Sequence, residues 1–136
     1  MQVYKNILVA MDCSPVDDVI IEHVCALARQ NSAHVFLLHV AHGHTLDQDR
    51  ALREMAGKAL DQRAAYMREQ GIETDIIIRS GEPDEEILKH IEESDYDLVA
   101  MATHGHTFIG DLLFGSVSRT LKHKISIPLL LIGQQK

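Results

Sequence analysis

Ile7-Leu8-Val9-Ala10-Met11-Asp12-Cys13-Ser14-Pro15 is the stretch whose reading decides the fold. Five apolar residues in succession make a short strand buried on both faces. The run stops at Asp12-Cys13-Ser14-Pro15, where a capping residue precedes a proline suited to the first turn of a helix. From Val16 to Arg29, the apolar residues Val16, Val19, Ile20, Val24, Leu27 and Ala28 recur at three- and four-residue spacing, which gives a helix with one buried stripe. A strand that is apolar throughout and feeds straight into an amphipathic helix is the unit from which parallel sheets are built.

The same alternation continues along the chain. Val35-Phe36-Leu37-Leu38-His39-Val40 is a second β-rich run, followed by a polar segment over residues 42–48. A long charged helix is expected from about Asp49 to Gln70, with Leu52, Met55, Ala59, Leu60 and Met67 on one face and Gly71 at the place of a carboxyl-terminal cap. Ile76-Ile77-Ile78 makes a third strand. Ser80-Gly81-Glu82-Pro83 turns into a short helix containing Ile87, Leu88 and Ile91, and Asp97-Leu98-Val99-Ala100-Met101-Ala102 reads as a fourth strand. Residues 103–114 read as a loop, Gly115-Ser116 as the opening of a helix to about Lys124, and Ile127-Pro128-Leu129-Leu130-Leu131-Ile132 as a fifth strand ending at Gly133. The expected fold is α/β: a single-domain, three-layer sandwich over residues 1–136, with a five-stranded, mainly parallel sheet and helices on both faces.

Composition narrows the function. Lys plus Arg number 13 against 20 Asp plus Glu, and the net charge of −7 works against binding a phosphate backbone, so nucleic acid is not an expected partner. No apolar run approaches the roughly 20 residues that span a bilayer, and no signal-peptide core precedes the first strand, so a cytoplasmic protein without membrane insertion is expected. Cys13 and Cys25 form no CxxC and suit reduced thiols.

In a parallel α/β sheet ligands bind beyond the carboxyl ends of the strands, near the point where strand order reverses. The positions to inspect are therefore 12–14, 40–44, 80–83 and 101–116. The last of these carries the strongest signal, a glycine-punctuated loop between a buried strand and a helix start. Gly105 and Gly115 permit close backbone approach, and a helix opening at Ser116 offers unpaired N–H groups and hydroxyls to phosphate oxygens. The same residues also serve as plain turn glycines and a helix cap.

The strand ending in Val9-Ala10-Met11-Asp12, the pattern Ala102-x2-Gly105-x9-Gly115-Ser116 and the closing Ile127-Pro128-Leu129-Leu130-Leu131-Ile132 together resemble the universal stress protein family over essentially the whole chain. The resemblance implies a Rossmann-like fold of the adenine nucleotide alpha hydrolase-like type and binding of ATP with Mg²⁺. Nucleotide-binding members carry Gly-x2-Gly-x9-Gly-(Ser or Thr), and this chain departs at the first position, where Ala102 replaces glycine. Cys13 likewise stands where many members have glycine. Carried over by position, Asp12 contacts the nucleotide or its metal ion, Ala10 and Val40 flank adenine and ribose, and Met101 and Ala102 line the same pocket. Gly105, Gly115, Ser116 and Val117 cradle the phosphates. For Asp12 the structural alternative is a helix cap.

Other features carry less chemistry. His39-x2-His42-x-His44 has a spacing compatible with a transition metal, but neighbours on a strand face opposite sides. The plainer reading is a packed His39, solvated His42 and His44, and a His123 that complements a helix end. His104 is expected to support the glycine loop, and His104-Gly105-His106 is no HIGH signature. Asp84-Glu85-Glu86 reads as a helix first turn, and Cys25 as a small buried hydrophobe. No G-x-S-x-G elbow and no Walker A lysine are present, so no catalytic residue is assigned.

The resulting expectation is a nucleotide-dependent regulator or signalling module of the stress response, with at most slow hydrolysis or autophosphorylation. The alternatives are a dimeric interaction module that no longer binds nucleotide and a nucleotidyl-transfer or hydrolytic enzyme on the same scaffold. A homodimer is expected through the fifth strand, whose apolar edge residues offer unpaired backbone groups to a second copy.

Overall fold

The computed structural model describes residues 3–102 and 110–133, of which 110–116 by backbone alone. Nine elements alternate: β1 (Asn6–Ala10), α1 (Asp17–Asn31), β2 (His34–Ala41), α2 (Leu46–Glu69), β3 (Thr74–Ser80), α3 (Pro83–Glu92), β4 (Leu98–Ala102), α4 (Gly110–Lys124) and β5 (Leu129–Ile132). The strands form one parallel sheet in the order β3-β2-β1-β4-β5. The chain winds outward from β1 to β3 and then returns to the other side of β1, so the order reverses between β1 and β4. Connections leaving those two strands diverge, and the carboxyl ends of strands at such a reversal are where sheets of this class bind ligands.

Side-chain parity explains why the strands are apolar throughout. Ile7 and Val9 of β1 enter a core with Ile20, Val24 and Ala28 of α1 and Leu60, Ala64 and Met67 of α2. Leu8 and Ala10 enter a second core with Ile87 and Ile91 of α3 and Val117 and Leu121 of α4. Successive residues of a strand point to opposite faces, so a strand covered on both sides needs an apolar residue at every position.

Several boundaries depart from the sequence expectation, each for a local reason. α1 begins at Asp17 without a side-chain cap, because residues 14–16 form a turn in which Ser14 and Pro15 carbonyls accept the Asp17 and Asp18 N–H groups at 3.0 and 3.1 Å. α2 begins at Leu46, inside the stretch expected to be polar loop. Thr45 Oγ1 accepts the Gln48 N–H at 3.1 Å while Gln48 Oε1 accepts the His44 N–H at 2.9 Å, a near-reciprocal cap of the Thr-x-x-Gln kind. At the other end of α2, Gly71 adopts φ +82°, and the Gly71 and Ile72 N–H groups return to the Arg68 and Met67 carbonyls at 2.9 and 3.1 Å. That double bond pattern needs a left-handed residue, which glycine supplies without strain.

α4 starts at Gly110, so Gly115 and Ser116 lie inside the helix and do not open it. The intervening Asp111-Leu112-Leu113-Phe114 is free of proline, and an interior glycine lowers helix stability by about 1 kcal/mol without ending the helix. The orphan N–H groups of this helix therefore belong to its first turn, from Gly110 onward.

Candidate functional site

The site is built where β1 runs out. Beyond Ala10, the Met11 N–H still donates to the Leu38 carbonyl at 2.7 Å, and the Met11 carbonyl accepts from His39 Nδ1 at 2.8 Å. The carbonyl can only accept, so Nδ1 carries the proton and the His39 ring ties the ends of β1 and β2 together. His39 is thus a structural tie. His42 makes a different bond, Nδ1 to the Gly81 carbonyl at 3.1 Å, and its ring meets His44 edge to face at 5.4 Å. The three histidines of the metal-like spacing do not converge, and among the described residues no group of three His, Cys, Asp or Glu is disposed to hold a metal ion.

The loop after β1 turns sharply. Cys13 has φ +63°, a left-handed conformation that accounts for a glycine preference at this position. Burial, with Asp17 adding to it, pushes the Cys13 thiol up to about 12. Asp12 is half-buried, and its Oδ2 accepts the Ser14 hydroxyl at 2.8 Å. Its role as a cap of α1 falls away, since that helix starts five residues later. The carboxylate of Asp17 instead bonds backward, accepting the N–H groups of Asp12 at 3.0 Å and Cys13 at 2.6 Å. Burial raises the Asp17 pKa above the usual carboxylate range, with these N–H bonds and Arg63 pulling the other way.

Met11, Asp12, His39, Val40, Pro83, Ile87 and Val117 line a small cleft of about 30 Å³. Of the residues expected from the sequence, Asp12, Val40 and Val117 meet there. Ala10 and Met101 lie opposite each other in adjacent strands and are fully buried in the sheet. Ala102 closes β4 opposite Ile132 and is buried as well. Gly105, His104 and His106 lie outside the described residues. Pro83 comes from the 80–83 turn singled out for inspection, whereas Ile87 and Asp17 were not expected at the site. The helix that this turn opens was the available signal for Ile87, and nothing local marks Asp17.

The acidic residues 84–86 occupy the first turn of α3, where Glu86 accepts from Arg79 Nε at 3.0 Å. His123 lies in the last turn of α4, and Cys25 is buried in α1. All three are accounted for by the fold.

The profile of the Universal stress protein family matches residues 3–133. The chain belongs to this family. A universal stress protein of Methanothermobacter thermautotrophicus is 30% identical over 135 residues, covering 90% of this chain and 91% of that protein. Universal stress protein MJ0577 of Methanocaldococcus jannaschii is 25% identical over 156 residues, covering 97% of this chain and 96% of that protein. The solved MJ0577 structure superposes with a TM-score of 0.78 at 26% identity, covering 98% and 99% of the two chains. A universal stress protein from Archaeoglobus fulgidus in complex with dAMP has the same fold, with a TM-score of 0.73 at 24% identity and coverage of 96% and 98%. Among the described residues no helix is long and apolar enough to cross a membrane.

Proposed function

We propose that this universal stress protein binds an adenine nucleotide, ATP with Mg²⁺, in the cleft at the carboxyl ends of β1 and β2 and along α4, and that binding rather than turnover is its function in a stress response. The observation that carries the reading is the convergence of Asp12, Val40 and Val117, which are far apart in the chain, on one cleft beside the reversal of strand order. The lining suits the ligand. Val40, Pro83, Ile87 and Val117 give apolar walls for a flat base, and Asp12 supplies one carboxylate for a ribose hydroxyl or for Mg²⁺. A single carboxylate is what Mg²⁺ uses when phosphates and water complete its shell. The dAMP complex of the A. fulgidus relative supports an adenine nucleotide in this fold. The segment from Gly105 through Gly115, Ser116 and Val117 is assigned to the phosphates on the family pattern, with the unpaired N–H groups of the first turn of α4, from Gly110 onward, as the donors, and Ala102 to the pocket wall beside them. When bound, the Mg²⁺ supplies charge neutralisation of the phosphates.

Titration calorimetry with Mg·ATP tests the reading: saturable heat is expected, and no heat at about millimolar ligand refutes it. Gly110→Val, at the first turn of α4 where the unpaired N–H groups lie, is expected to abolish binding. Unchanged affinity moves the phosphates elsewhere. The second reading, an interaction module without nucleotide, is favoured by Ala102 in place of the first motif glycine and corresponds to the negative outcome of the same titration.

A cytoplasmic homodimer completes the proposal. β5 is an edge strand and its Leu131 is 39% exposed, so pairing with a second copy about a two-fold axis would satisfy both edges.

A further inference from the structure

Asp17 is 1% exposed, and a carboxylate so buried persists only where its oxygens are met. Both are met by the backbone of the loop that leaves β1: Oδ1 takes the Asp12 N–H at 3.0 Å and Oδ2 the Cys13 N–H at 2.6 Å. From α2, Arg63 Nη2 donates to the next backbone group of the same loop, the Ser14 carbonyl, at 3.3 Å. The guanidinium also lies close enough to Asp17 to stabilise its charge. Three successive residues are thus held from the α1 and α2 side of the sheet, two by the Asp17 carboxylate and the third by Arg63, which also pairs with Asp18 at 3.6 Å. The Asp12 carboxylate, oriented by the Ser14 hydroxyl at 2.8 Å, belongs to a cleft whose far walls come from α3 and α4.

We propose that Asp17, assisted by Arg63, is the positioning residue of the nucleotide site: by gripping the Asp12 and Cys13 amides it sets the direction in which Asp12 presents its carboxylate to the Mg²⁺-bound nucleotide. The inference rests on the nucleotide-binding reading above. Asp17→Asn keeps the volume but turns one acceptor into an NH2 group facing an N–H donor. The grip is then lost at one amide.

The test is a double-mutant cycle read by Mg·ATP calorimetry on the full chain, with wild type, Asp17→Asn, Asp12→Asn and the double variant, and with circular dichroism to establish that each is folded. Asp17→Asn is expected to weaken binding about tenfold. In the Asp12→Asn background the same change is expected to weaken it by less than about twofold, because its effect passes through Asp12. A merely structural Asp17 would leave the two effects additive. Wild type that binds while Asp17→Asn is unchanged, or while the two changes add, overturns this inference and leaves the nucleotide reading standing. Wild type that does not bind overturns both. Should Asp17→Asn fail to fold, Arg63→Gln, which releases the Ser14 carbonyl, enters the same cycle and is judged by the same outcomes.

Discussion

Replacing Ala102 with glycine should move stability and affinity in opposite directions. Ala102 ends β4 opposite Ile132 and is 4% exposed, so its methyl is packed. Removing one buried methyl forfeits about 0.8 kcal/mol of transfer free energy. Glycine in a strand adds about 0.5–1 kcal/mol through the larger backbone entropy of the unfolded chain. The sum, about 1.5 kcal/mol, corresponds to a fall in Tm of about 5 °C for a domain of this size. Affinity works the other way. The methyl stands at the first glycine position of the nucleotide-binding pattern, and one excess methyl in a tight contact costs about 1–3 kcal/mol. Its removal should therefore tighten Mg·ATP binding by about 5- to 150-fold. Scanning calorimetry of the free protein and isothermal titration of the same preparation read the two effects separately. An affinity that is unchanged or weaker, alongside the expected loss of Tm, would show that the alanine methyl does not face the ligand. An unchanged Tm would contradict the packing argument itself.

Further outcomes are expected elsewhere in the molecule. His90 accepts from Arg79 through Nδ1 at 3.2 Å and donates through Nε2 to the Tyr96 hydroxyl at 2.6 Å, and burial, then Arg79, lowers its pKa. A lowered folded value means that the stability held by neutral His90 is fully present above about pH 6.5, the ordinary histidine value, and is lost as pH falls through that range toward the folded one. The Tm difference between wild type and His90→Gln should therefore shrink from about pH 7.5 to about pH 5.5, and a constant difference refutes it. For Cys13, a thiol raised from 9.0 to about 12 leaves about a thousandfold less thiolate near neutral pH than the unfolded chain has. In a Cys25→Ser background, iodoacetamide should label the native protein far more slowly than the urea-unfolded one, and equal rates would contradict the burial of this thiol. Leu131→Lys should convert a species of twice 15.2 kDa into the monomer in sedimentation. Leu130 is the poorer probe because it also packs against the core under α1 and α2, and a dimer that survives Leu131→Lys places the interface away from β5.

What the sequence determined by itself is what depends on near neighbours. An apolar residue at every position of residues 7–11 and 98–102 requires cover on both faces, and helices between such strands force parallel pairing; both follow from periods of 2 and 3.6 residues. Asp12 and Val40 were legible as candidate site residues because a parallel sheet presents the ends of its strands, and the glycine pattern near Gly105 and Gly115 together with the family resemblance led to the expectation of a nucleotide. Tertiary structure alone decided the rest. The order β3-β2-β1-β4-β5, which sets β1 between β2 and β4, is a choice among long-range pairings that no local pattern encodes. The meeting of Asp12 and Val40 with Pro83, Ile87 and Val117 follows from that choice. Asp17 reads locally as one more acid in the first turn of a helix, and only the backward fold of residues 12–16 delivers two amide protons to its buried carboxylate. The start of α4 at Gly110 was hidden for the opposite reason: glycines suggest interruption, but a helix tolerates them when packing beyond the local segment repays the modest loss.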